Sequence, residues 1–225
     1  MPGKITVYLD LVSPFAYIGY HILRHSPAFK DVTITAVPIF LGRLMKSTGN
    51  ISPIFNKDKY LLTKDRLRWS RIFSVPMCIP MPTGFPVNLV KPNRALAYIA
   101  SRHPTHLPTA FEALYHQFWG LEISNVNIGQ PDGEAGFLTV LREVLPREVY
   151  EDVEREWSGE EAKTLLVQNT ERAEREGVFG CPWFDCENEK GEREGFWGVD
   201  HMGQVVRFMG LEDRDENQQV LKALL

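Results

Sequence analysis

The chain has 225 residues, of which 44% are hydrophobic and 24% charged, the balance of a soluble globular protein long enough to bury a core without disulfide staples. Its net charge of −4 disfavours nucleic acid or an anionic membrane as the main partner, while leaving room for a local basic pocket. Three cysteines, Cys78, Cys181 and Cys186, none in Cys-x-x-Cys spacing, argue against a secreted disulfide framework and for a reducing compartment.

No run of about 18 apolar residues is present to span a membrane. Ile5 to Leu9 runs straight into Asp10, so the N-terminal segment has no apolar signal core, and it is not an Arg-rich transit peptide. The ending Lys222-Ala-Leu-Leu225 does not match a peroxisomal Ser-Lys-Leu. The expectation is a soluble intracellular protein, with cytoplasm, mitochondrion and peroxisome undistinguished.

Residues 4–9, Lys-Ile-Thr-Val-Tyr-Leu, are β-branched and aromatic and predict a buried strand. A turn at Asp10 to Pro14 follows. Ser13-Pro14 places a hydroxyl at an N-cap and proline at the first helical position, so a helix is predicted from Phe15 to about Ser26. Residues 32–40 predict a second strand, completing a β-α-β unit with a parallel pair. Helical periodicity then dominates, at 57–74, 92–102, 107–121, 134–145, 146–157 and 159–176, with a proline-rich loop over 76–92. After Gly177, residues 178–184 predict a turn leading into a strand and 194–198 a second strand of a hairpin. Asp200 then predicts the cap of a last helix, His201 to about Met209. A helical block, 43–176, thus interrupts an α/β unit made of 1–42 and 177–225.

Three features carry chemistry, each with an ordinary structural reading beside it. Ser13 at a helix mouth is either a plain cap or a hydroxyl that, with the helix N–H groups, stabilises a thiolate there. Cys181-Pro182 is either a turn or, if the proline is cis, a strand start whose backbone stays open to a peptide-like ligand. Gly198-Val-Asp200-His201 is either a capped helix or a place where N–H groups take a carboxylate and Asp200 takes an ammonium. Together they describe a site for a small zwitterionic peptide carrying a thiol.

Asp10-Leu-Val-Ser-Pro-Phe-Ala-Tyr-Ile-Gly19, Gly177-Val-Phe-Gly-Cys-Pro-Trp183 and Trp197-Gly-Val-Asp-His-Met202, spread over nearly the whole chain, resemble the kappa-class glutathione transferases and the related 2-hydroxychromene-2-carboxylate isomerases. Ser47-Thr-Gly-Asn50, Lys57-Asp-Lys-Tyr60 and Phe85-Pro-Val-Asn88 with Arg94 fit the same pattern. The resemblance implies an α/β, thioredoxin-like fold interrupted by an all-helical insertion, as in DsbA. It implies glutathione as co-substrate, a small hydrophobic electrophile as second substrate, no metal, and a homodimer. By the same resemblance Ser13 would bond the glutathione sulfur, Cys181 before the cis Pro182 would pair with the cysteinyl unit, and Asp200 would hold the γ-glutamyl end. Asn50 and Lys57 match positions near the glycyl end and the site mouth, with Lys59 an alternative register for Lys57.

Two departures stand out. Val199 and His201 occupy positions where the family often has serine and arginine, so one hydrogen bond is lost and a fixed cation becomes titratable. Cys181 replaces a small apolar residue and reads as a small buried side chain. Phe15, Tyr60, Phe85 and Trp183 are candidates to line an apolar pocket. Zinc spacing, a phosphate loop and a nucleophile elbow are all missing, and no histidine is placed by sequence to act as base for Ser13. Conjugation of glutathione to a small apolar electrophile is therefore the leading expectation. A glutathione-dependent isomerase is the alternative, ahead of a non-catalytic glutathione-binding protein and a DsbA-like dithiol oxidoreductase, since Ser13 stands where the latter carries cysteine.

Overall fold

The computed structural model describes residues 3–52, 57, 60–133, 135–216 and 218–224. Strand β1 (Lys4–Leu9) is central, with Ile5, Val7, Tyr8 and Leu9 all fully buried. It feeds helix α1 (Pro14–His25) and returns in β2 (Thr33–Pro38), which pairs parallel to β1 with Lys4 opposite Thr33 and Leu9 opposite Pro38. At the other end of the chain β3 (Trp183–Glu187) pairs antiparallel with β1 and β4 (Arg193–Trp197) antiparallel with β3, giving the order β2-β1-β3-β4. The first and last parts of the sequence therefore share one mixed sheet, with β1 pairing to β2 on one edge and to β3 on the other.

Between β2 and β3 the chain is helical: α2 (Leu41–Thr48), α3 (Arg66–Ile72) entered through a wide π-helical turn at Leu61–Asp65, α4 (Val90–Arg102), α5 (Leu107–Tyr115), α6 (Phe137–Val144), α7 (Arg147–Glu156) and α8 (Glu160–Arg175). Helix α9 (Met202–Phe208) follows β4. Among the described residues no helix is long and apolar enough to cross a membrane.

Most predicted elements lie within a few residues of their expected ends. Part of the predicted helix over 57–74 falls on residues 58 and 59, outside the described residues. The predicted helix over 107–121 leaves α-geometry after Tyr115 and closes as a π-helical turn, His116–Gly120. Helix α2 was not expected. Its eight residues include Gly42 and bury only Leu44 and Met45, too short a stripe for periodicity to reveal; it forms because the Leu41 N–H donates to the Asp10 carboxylate at 2.8 Å. The predicted cap at Asp200 is also corrected: residues 199–201 form a tight 3-10 turn and no side chain caps α9, so the Asp200 carboxylate is free of that duty.

Asp10 organises the junction of sheet and helices. Its buried carboxylate accepts from Val12 N (3.0 Å), Leu41 N (2.8 Å) and Asn93 Nδ2 (2.7 Å), and its carbonyl accepts from the Tyr115 hydroxyl (3.1 Å) and Ser13 N (3.1 Å). Trp119 Nε1 donates to Leu11 O at 2.9 Å. Arg66, also fully buried, donates to the carbonyls of Leu62, Cys78 and Ile79 and lies 5.7 Å from the Trp119 ring centroid. Every buried polar group in this seam has partners, as burial demands.

Two predictions follow from the packing. Asp10→Ala strands two backbone N–H groups and an amide in the interior and is expected to cost about 3 kcal/mol, read as a lower urea midpoint at unchanged slope. On the outer face of α1, His21 stacks on His25 with ring centroids 4.3 Å apart, and burial, then the His25 charge, lower its pKa to about 4. Below pH 6.5 the unfolded chain takes up a proton that the folded chain refuses, so stability is intact above that pH and falls towards pH 4. With allowance for solvent screening, His21→Gln should flatten that acid limb by about 1–2 kcal/mol in pH-resolved denaturation.

Candidate functional site

The strand–turn–helix at Asp10 to Pro14 aims one hydroxyl out of the sheet's carboxyl end. Ser13 is extended (φ −90°, ψ 115°), and its Oγ accepts from Ala16 N at 3.1 Å as the N-cap of α1. The same hydroxyl donates to Cys181 O at 3.3 Å. That long second bond leaves the proton easily turned towards a better acceptor, while the cap stays in place. First-turn N–H groups of α1 point the same way and carry the helix's partial positive charge.

The Cys181–Pro182 bond is cis, as is Phe85–Pro86 in the loop opposite. Both prolines' loops border a cleft of about 880 Å³ between the sheet and the helical block. Of the residues singled out from the sequence, Ser13, Asn50, Lys57, Cys181, Val199 and Asp200 all line it. Asn50 sits in the loop after α2, and its Nδ2 donates to Phe179 O at 2.8 Å. Its amide oxygen and second N–H remain to meet a ligand. The Asp200 side chain is 60% exposed, with His201 Nδ1 3.5 Å from Oδ1. Gly198 has φ +87°, and a Cβ there would lie 2.3 Å from Asp200 Oδ1, so only glycine lets the carboxylate sit where it does.

Two of the expected site residues do not reach the cleft wall. The Pro182 ring packs towards α1, where a Cβ on Gly19 would touch it, and its carbonyl accepts from Gly198 N at 3.0 Å. His201 turns its Nδ1 inward beside Asp200 instead of outward. Lys59, the alternative to Lys57, lies outside the described residues.

The thiol of Cys181 is buried, and burial followed by the Asp10 charge pushes its pKa far up. It is a protonated, packed side chain at neutral pH. Cys78 and Cys186 are likewise buried and pushed up by burial.

Of the expected aromatic lining, Phe15, Tyr60 and Phe85 are on the cleft. Trp183 is not; it packs against Phe179 and over Gly195. Sequence reasoning missed Arg68, Trp69 and Trp197, which also line the cleft. The signal for the first two was present: Leu61, Asp65, Arg68 and Trp69 follow i, i+4, i+7, i+8 spacing, one helix face. Arg68 Nη1 donates to Asp65 Oδ1 (2.9 Å) and to the Tyr60 hydroxyl (3.0 Å) at the mouth. The cleft thus has a polar floor at Ser13, an apolar wall on α3 and the Phe85 loop, and cations at its rim. No group of three or more metal-ligating side chains occurs among the described residues.

The sequence profile of the DSBA-like thioredoxin domain matches residues 4–210. Glutathione S-transferase kappa 2 of Caenorhabditis elegans is 28% identical over 222 residues, covering 93% of each chain. The human glutathione S-transferase kappa 1 is 23% identical over 215 residues, covering 93% of this chain and 92% of its own. Among solved structures, a 2-hydroxychromene-2-carboxylate isomerase superposes with a TM-score of 0.72 at 23% identity, over 96% of this chain and 98% of that one. The chain belongs to the DsbA-like thioredoxin family, with kappa glutathione transferases among its relatives.

Proposed function

We propose that this protein is a glutathione transferase that conjugates glutathione to small apolar electrophiles. The observation that carries the reading is the Ser13 hydroxyl at the mouth of α1, 3.3 Å from the Cys181 carbonyl, at the floor of a cleft with one polar end and one aromatic wall.

In this reading the γ-glutamyl ammonium pairs with Asp200, the cysteinyl unit lies along Gly180–Cys181, and Asn50 and Lys57 meet the glycyl end. The sulfur then rests at the N-terminus of α1. As the thiol loses its proton to solvent, Ser13 turns its own hydroxyl proton from the Cys181 carbonyl to the sulfur, and the helix N–H groups stabilise the charge. The thiolate attacks an electrophile held against Phe15, Trp69 and Phe85, forming the carbon–sulfur bond as the leaving group departs. Catalysis comes from a lowered thiol pKa and positioning, with no protein nucleophile. His201 stands half-hidden behind Asp200, outside the cleft. The helices from α2 to α8 act as an insertion domain, and the protein works as a homodimer.

A second reading is supported by Arg68 and Lys57 at the rim beside the aromatic wall. Two cations there suit a planar substrate bearing a carboxylate, and reversible addition of glutathione to such a substrate would isomerise it. Parallel assays with a chlorodinitrobenzene-type electrophile and a hydroxychromene carboxylate separate the two. Faster turnover of the former is expected, and turnover of the carboxylate alone reverses the ranking.

Ser13→Ala removes the hydroxyl but leaves the helix end. The pKa of bound glutathione, followed by thiolate absorbance, is expected to rise by about one unit, and conjugation at pH 7 to fall about tenfold. Glutathione affinity should stay within about threefold of the parent by calorimetry. Unchanged conjugation would return Ser13 to simple capping.

A further inference from the structure

Trp197 is a large hydrophobic side chain left 43% exposed, and it stands on the wall of the cleft. Three features hold it there. It ends β4 opposite Trp183 on β3. Its ring lies 5.0 Å from that of Phe179, which in turn meets Trp183 edge-on at 5.3 Å. Trp183 lies over Gly195, where a Cβ would come within 2.5 Å of its ring. The three rings therefore form a ladder whose far end is clamped to the sheet and whose near end faces the cleft.

Gly180 completes the arrangement. A Cβ at that position would lie 2.7 Å from Trp197 Nε1 and 3.5 Å from Asn50 Nδ2. The indole thus rests directly against the backbone of the segment that leads to Cys181, in a notch that only glycine leaves open. On the cleft wall it stands among Gly180, Cys181 and Asp200. An exposed indole costs solvation free energy, and nothing in the ladder covers its outer face.

We propose that the Trp197 indole is the surface against which the γ-glutamyl–cysteinyl peptide plane of glutathione stacks, with Gly180 as the notch that sets the ring's depth. The inference rests on the glutathione reading above. It adds a positioning and specificity residue that bonds to no charged end of the ligand. Its contact is with the flat amide between the Asp200 and Ser13 subsites, so it selects a thin peptide in extended form. Amide-on-indole contact is of the size of other aromatic stacks.

The test is calorimetric titration of the full-length protein and of Trp197→Ala, Trp197→Phe and Gly180→Ala with glutathione, after each variant's fold is checked by circular dichroism. Trp197→Ala is expected to weaken glutathione binding about tenfold and Trp197→Phe, which keeps a ring, by no more than about threefold. Gly180→Ala, which must push the indole outward, should weaken binding like Trp197→Ala. The pKa of bound glutathione should be the same in parent and Trp197 variants, because Ser13 and α1 are untouched. Parent-like affinity in Trp197→Ala, with glutathione still bound by the parent, overturns the proposal and leaves the functional reading standing. Failure of the parent to bind glutathione overturns both. If Gly180→Ala does not fold, the alanine and phenylalanine pair at Trp197 decides alone.

Discussion

A carboxylate in a protein interior must be fully hydrogen-bonded to be tolerated, and the Asp10 side chain meets that demand from three separate parts of the chain. Val12 belongs to its own turn, Leu41 opens α2, and Asn93 lies in α4. Burial raises its pKa, and those three donors pull it back. The Val12 bond is made within the turn, but the Leu41 and Asn93 bonds form only when sheet and helices are docked. The turn that carries Ser13 is thereby tied to the helical block at the moment that the block is in place.

The rest of the cleft depends on that docking. Tyr115 and Trp119 reach from α5 and the π-helical turn after it to the carbonyls of Asp10 and Leu11. Arg66 lies over Trp119 and holds the carbonyls of Cys78 and Ile79, ahead of the loop that brings Phe85 to the aromatic wall. A buried guanidinium held by carbonyls and a π-face is strongly directional. It fixes the wall on α3 relative to the floor at Ser13, and so sets the width of the cleft.

Charges of opposite sign occupy different parts of the cleft. Its floor has the helix N-terminus and a hydroxyl, both suited to a sulfur anion. One side has the exposed Asp200 carboxylate, suited to an ammonium, and the rim has Lys57 and Arg68. The protein thiol nearest the floor, Cys181, is held protonated by burial and by the Asp10 charge.

Much of this was legible in the residues alone. β-Branched runs marked β1 and β2, Ser13-Pro14 marked the start of α1, and Ser13, Cys181 and Asp200, singled out from the sequence, line one cleft. These are local signals, set by backbone sterics, capping and short-range hydrogen bonding, and they survive in one dimension. Helix α2, the freeing of Asp200 from capping, the inward turn of His201 and Pro182, and the cleft-facing indole of Trp197 were not legible. Each depends on a contact made in three dimensions: Asp10 for Leu41, Gly198 for Asp200, Gly19 for Pro182, and Gly180 with Phe179 for Trp197. The sequence by itself determined which chemical groups are present and which of them cap or begin an element. Only the tertiary structure decided which of them face a common cavity, because that choice is made by burial and hydrogen-bond satisfaction between segments separated by more than a hundred residues.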